Sequence, residues 1–126
     1  MAAVVSSDVN ITTLSQFFIL SPRGDTIIKR EYRHDVPQNS PEIFFRKIKF
    51  WEGDPPPCFK ENDVNYLFIK QNGLCIVCTT AFNVSPSFIL ELLVRIGNVI
   101  KDYCGVLNEE AIRKNFILVY ELLDEM

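Results

Sequence analysis

Glycine is scarce in this chain, with 5 residues in 126, and histidine occurs once. No Gly-x-x-x-x-Gly-Lys or Gly-x-Gly-x-x-Gly loop is present to cradle a phosphate, so nucleotide binding is not indicated. Cations are not in surplus: 13 Lys and Arg stand against 16 Asp and Glu, a formal net charge of -3, which disfavours binding to a nucleic-acid backbone. Long apolar runs are missing too. The longest, such as Phe88 to Leu90 and Phe116 to Tyr120, fall far short of the roughly 20 residues that span a bilayer. Met1 to Leu14 has no basic n-region, and Asp8 interrupts the place of an apolar h-region, so secretion is not expected. The 4 cysteines are too sparse for a disulfide scaffold and are expected to stay thiols in a cytosolic protein.

What is present is the composition of one compact domain: 48% hydrophobic and 23% charged residues, enough apolar material for a core. Residues 1–14 show no sustained period and are expected to form a flexible N-terminal extension, with the ordered domain spanning 15–126. Gln16 to Ser21 is an apolar strand that should lie centrally, and Thr26 to Arg33 a more polar strand nearer an edge. Pro22-Arg23-Gly24-Asp25 between them predicts a turn and an antiparallel hairpin. Ser40-Pro41 predicts a helix start, the Ser40 hydroxyl accepting a free N–H, with Phe44, Ile48 and Trp51 on one buried face. Gly53 and the prolines 55 to 57 force a loop.

Three strands are then expected: Cys58 to Lys60, Val64 to Gln71 and Leu74 to Phe82, the last two joined by Asn72-Gly73, a strong type I′ hairpin signal. Ser85-Pro86 opens a helix that Gly105 should end after Cys104. Its polar residues, Glu91, Arg95, Asn98 and Asp102, form one narrow stripe, which predicts burial on most sides. Asn108 should cap a last helix carrying Ile112, Phe116, Tyr120 and Leu123 inward. Antiparallel hairpins joined to helices on both faces give an α+β layered sandwich.

The catalytic candidates dissolve on inspection. Cys75 and Cys78 have the spacing of a redox or zinc pair, yet on a strand residues i and i+3 face opposite ways, and only His34 remains to complete a metal site. Packing is the heavier reading. His34 beside Asp35 lacks a nucleophile partner and reads as a turn residue. Arg23-Gly24-Asp25 spells an integrin tripeptide but has the chemistry of a turn, and the triplets at Asn10 and Asn83 matter only in a secreted protein. Tyr120-Glu121-Leu122-Leu123 has the form of a tyrosine sorting signal, but at helical spacing Tyr120 and Leu123 are core positions. Lys29, Arg30, Arg33, Arg46, Lys47 and Lys49 could form a basic face toward anionic lipid or an acidic partner, or simply a solvated one. No catalytic, cofactor-binding or metal-binding set can be assembled, so no enzyme activity is predicted.

Arg113-Lys114-Asn115-Phe116-Ile117-Leu118-Val119-Tyr120-Glu121-Leu122-Leu123-Asp124-Glu125 is similar to the Arg-x-Asn-Phe-Val-x-Val-Tyr-Glu-Leu-Leu-Asp-Glu block of adaptor-protein complex medium (mu) chains. From Ser15 onward the chain resembles the N-terminal longin-like domain of that family. Ser15 to Ser21 with Arg23-Gly24-Asp25, Asn83-Val84-Ser85-Pro86, Leu90-Glu91-Leu92-Leu93 and Asp102 to Glu109 resemble the medium chain of the fourth adaptor-protein complex in particular. The resemblance implies a longin-like (SNARE-like) α-β-α sandwich: a five-stranded antiparallel sheet with one helix on one face and two on the other. It also implies a subunit of a heterotetrameric vesicle coat adaptor, with large and small adaptor chains as partners. Such a coat sorts cargo at trans-Golgi network and endosomal membranes, where an Arf-family GTPase takes part in recruitment. The family's cargo pocket lies in a C-terminal mu-homology domain that this chain, stopping at Met126, is expected to lack. The alternative is a free-standing longin module that binds a SNARE segment or regulates a small GTPase.

Medium chains meet a large chain through this domain, which implies an apolar interface on the single-helix side near Phe44, Phe45, Phe50 and Trp51. Phe44 and Trp51 lie on the helical stripe and read equally well as core. Phe45 and Phe50 lie off it and are the predicted interface residues.

Overall fold

The computed structural model describes residues 14–81 and 85–125. The rest of the expected N-terminal extension, the Asn10 triplet, Phe82 and most of the Asn83 triplet lie outside the described residues. Leu14, assigned to that extension, is fully buried in the core.

Five strands form one antiparallel sheet: β1 (Gln16–Leu20), β2 (Thr26–Glu31), β3 (Cys58–Glu61), β4 (Val64–Gln71) and β5 (Leu74–Thr80), in the order β2-β1-β5-β4-β3. β1 is internal and β2 is an edge, as their compositions predict. Asn72 at φ 52° and Gly73 at φ 82° supply the two positive φ values of a I′ turn, and Gln71 pairs with Leu74 across it. Asn62 and Asp63, at φ 51° and 65°, make a second two-residue hairpin between β3 and β4, where Glu61 pairs with Val64. Asn and Asp tolerate that region without a Gly, which is why this turn carries a weaker sequence signal. Ser21 organises the β1–β2 turn, its hydroxyl accepting from the N–H groups of Arg23 and Asp25.

Strand alternation sends side chains to two cores. Phe17, Ile19, Leu67, Ile76 and Cys78 join one cluster with residues of α2 (Pro86–Cys104), α3 (Glu109–Lys114) and α4 (Phe116–Glu125). Phe18, Leu20, Tyr66, Phe68 and Val77 join the other, beneath Phe44 of α1 (Ser40–Lys49). One helix therefore packs on one face, and the remaining helices on the other.

Several local expectations are corrected. Ser40 does not accept a capping bond; its hydroxyl donates to the Pro37 carbonyl at 2.6 Å, and Asn39 stands at the N-cap. Ser85 does occupy an N-cap position, but its side chain makes no capping bond. α2 buries one face only, through Ile89, Leu93, Ile96, Gly97 and Ile100, and leaves Val94 and Tyr103 exposed. Asn108 caps as predicted, accepting from Ala111 N at 2.7 Å. The helix it starts breaks at Asn115, whose amide donates to the Ala111 carbonyl at 2.8 Å, and Phe116 turns outward, whereas Ile112, Tyr120 and Leu123 face the core as expected, joined by Val119 and Leu122.

Candidate partner interface

α1 owes its place to Phe44, which sits over Phe18, Tyr66 and Phe68 at centroid distances of 6.1, 6.2 and 5.1 Å. Phe59 of β3 extends this aromatic bed, stacked on Tyr66 at 5.2 Å and on Phe44 at 6.0 Å. Burial under the helix pushes the Tyr66 phenol above its ordinary range. Phe44 is therefore core, while Trp51, just past the helix end, leans on Phe59 at 5.7 Å and is half-buried at the margin of the cluster.

The two residues off the stripe separate in character. Phe45 is half-buried, and its ring lies so close to Gly24 that a Cβ there would come within 2.7 Å of it. It braces α1 against the β1–β2 turn. Phe50 is 73% exposed, the most exposed large hydrophobic side chain among the described residues. It stands with Arg46, four positions earlier, as a ridge between two hollows. One hollow, about 410 Å³, is lined by Ile43, Lys47, Trp51 and Glu61 as well. The other, about 330 Å³, is shared with Gly24, Glu42, Phe45 and Lys49. Both predicted interface residues thus line the second hollow, and Phe50 lines both.

Part of the expected basic face is engaged internally. Lys29 donates to the Gln38 carbonyl at 2.7 Å, Arg33 pairs with Asp35 at 3.2 Å, and Lys47 pairs with Glu61 at 3.4 Å while lying 5.6 Å from the Trp51 ring centre. Arg46 makes no such contact among the described residues, and Lys49 reaches only the Phe50 ring, at 5.8 Å. These two cations flanking the exposed aromatic were not distinguishable from their neighbours by sequence.

Elsewhere the candidate chemistry falls apart in space. Cys78 is fully buried in the α2 side of the core while Cys75 packs with the α1 side, so the two thiols lie on opposite faces. Burial pushes both thiols above their ordinary range. His34 is exposed and lies 3.3 Å from Glu31, whereas Asp35 bonds Arg33, so no His–Asp dyad forms. The Tyr120 hydroxyl accepts the Lys29 backbone N–H at 3.1 Å and Leu123 is buried, which makes the sorting-signal tetrapeptide structural. A third hollow, about 600 Å³, lies over α3, but Arg113 and Lys114 there pair with Glu109 and Glu110. Phe116 and Ile117, exposed at the start of α4, form an apolar pair that the predicted continuous helix concealed. No helix among the described residues is long and apolar enough to cross a membrane.

No family model matches the chain. Individual relatives do. The chain is 60% identical over 117 residues to the AP-4 complex subunit mu of Arabidopsis thaliana, 49% identical over 112 residues to that of Dictyostelium discoideum, and 44% identical over 115 residues to AP-4 complex subunit mu-1 of Homo sapiens. An AP-1 complex subunit mu of Dictyostelium discoideum is 36% identical over 113 residues. These alignments cover 89–90% of this chain but only 21–26% of the relatives, so the chain spans about a quarter of their length. The five-stranded sheet with helices on both faces is consistent with the longin-like domain that the Arg113 to Glu125 block implies. Across about nine-tenths of its length, this chain is similar to the mu subunits of adaptor complexes.

Proposed function

We propose that the chain is the assembly domain of an adaptor-complex mu subunit: a non-catalytic part of a heterotetrameric vesicle coat that acts in intracellular protein transport. The observation that carries this reading is the 44–60% identity to AP-4 mu subunits across nearly the whole chain. Its partners are a large and a small adaptor chain, and its place of work is the cytosolic surface of trans-Golgi network or endosomal membranes, reached with an Arf-family GTPase. Recognition of cargo falls outside it. Relatives named as mu subunits favour this over a free-standing module that binds a SNARE segment or regulates a small GTPase.

The contact with the large chain runs through Phe45 and Phe50 on the α1 side. Exposed aromatics at an interface act as anchors whose truncation costs roughly 2 kcal/mol or more, about thirtyfold in affinity. Phe50→Asp should leave the domain folded, because the side chain is 73% exposed, and abolish co-purification with a large adaptor chain. Phe45→Asp should do the same at some cost in stability, since Phe45 also braces the β1–β2 turn. Retention of the large chain by a folded Phe50→Asp variant moves the interface elsewhere.

A further inference from the structure

Resting on the reading of the Phe45/Phe50 face as the large-chain contact, we infer that the surface seated there is apolar and carries carboxylates aimed at Arg46 and Lys49. Phe50 and Arg46 share one ridge, and both hollows beside it include Arg46 in their walls. Covering Phe50 therefore takes Arg46 out of water along with it, and Lys49, whose ammonium lies 5.8 Å from the Phe50 ring centre, goes too. A desolvated cation is costly unless it is paired. Among the described residues no carboxylate pairs with either cation: Glu42 in one hollow and Glu52 in the other line the walls without an ion pair to Arg46 or Lys49, and Glu61 is taken by Lys47.

The neighbouring Lys47 shows the contrast, because its charge is already spent on Glu61 and the Trp51 ring. All three bases lie in the last turn of α1, where they complement the helix end, but that role needs no exposed aromatic between them. The two free cations are left for the partner. An acidic rim around an apolar seat fits this ridge; a neutral or basic apolar surface would bury Arg46 unpaired. Such pairs at the edge of a contact act chiefly on encounter rate and salt dependence.

The test co-expresses the full chain with the large and small adaptor chains and measures capture of the large chain across a sodium chloride series. Wild-type capture should weaken steadily with salt. Arg46→Glu with Lys49→Glu should lose about tenfold at low salt and lose the salt dependence. Arg46→Gln with Lys49→Gln should fall between, and it guards against a fault particular to the reversed charges. If both double variants bind as wild type with the same salt slope while Phe50→Asp fails to bind, the interface stands and the acidic rim is wrong. If Phe50→Asp also binds as wild type, the interface reading fails and takes this inference with it.

Discussion

Gly24→Ala tests how α1 is joined to the sheet. Gly24 sits at φ 93°, and a Cβ there would meet the Phe45 ring at 2.7–2.8 Å. Two separable costs follow. The left-handed backbone alone costs an L-residue about 1–2 kcal/mol, and forcing the ring aside adds about 1–3 kcal/mol of overpacking. Gly24→Ala should therefore destabilise the domain by roughly 2–5 kcal/mol, read as the free energy of urea unfolding. Phe45→Ala removes the ring and, for a half-buried side chain, should cost about 2 kcal/mol by itself. In the double variant the steric part vanishes, so Gly24→Ala should then cost only the backbone share of about 1–2 kcal/mol. The expected coupling between the two sites is on the order of 1–3 kcal/mol. Strict additivity, with Gly24→Ala costing the same in both backgrounds, would refute the claim that Phe45 rests on this turn.

Gly73→Val opposes the positive φ of the I′ turn and brings a Cβ within 3.2 Å of Pro22, so the melting temperature should fall by an amount equivalent to about 1 kcal/mol or more; an unchanged value counts against the turn. Asn108→Ala should lose about 1 kcal/mol through the vacated Ala111 N–H, and Asn108→Asp should keep most of it, as urea unfolding would show. Cys78, fully buried, should resist a thiol reagent until the protein unfolds, whereas half-buried Cys104 should react sooner. The thiols of Cys75, Cys78 and Cys104 are all raised from 9.0 by burial, so the unfolded chain ionises first. Their contribution is therefore intact below about pH 9 and declines above it. An unfolding free energy that rises between pH 9 and 10 in wild type relative to a triple Cys→Ala variant would contradict this.

The hairpins and the faces were legible because alternation and turn chemistry act locally: Asn72-Gly73 names its own φ values, and Cys75 and Cys78 fall on opposite sides by counting; the long-range pairing of β1 with β5 was not, because no local signal specifies it. Capping detail was less so. Ser40 at a helix start has two bonding directions, and the nearby Pro37 carbonyl decides for donation. The last helix kept a convincing period, and Ile112, Tyr120 and Leu123 do face the core, but a period cannot reveal that an Asn115 amide turns back on the Ala111 carbonyl and that Phe116 beside this break turns out. At the candidate interface, the off-stripe positions of Phe45 and Phe50 were readable. That Phe45 serves the Gly24 turn was not, because that contact crosses from helix to hairpin, and which cations are already spent depends on loop carbonyls and on β3.

The order β2-β1-β5-β4-β3 also sets a timetable for the newborn chain. β1 can pair with β2 as soon as both leave the ribosome, but its other edge waits for β5, whose Thr79 is the partner of Gln16. Until then a strand buried on both faces in the finished fold is bare on one edge, a template for unwanted pairing. β2 waits longer still, because its Lys29 N–H is closed by the Tyr120 hydroxyl 91 positions downstream. The N-terminal hairpin is thus the first element made and the last completed, and pairing at such sequence separation slows folding. Synthesis stalled between β2 and β5 should yield the species most dependent on chaperones.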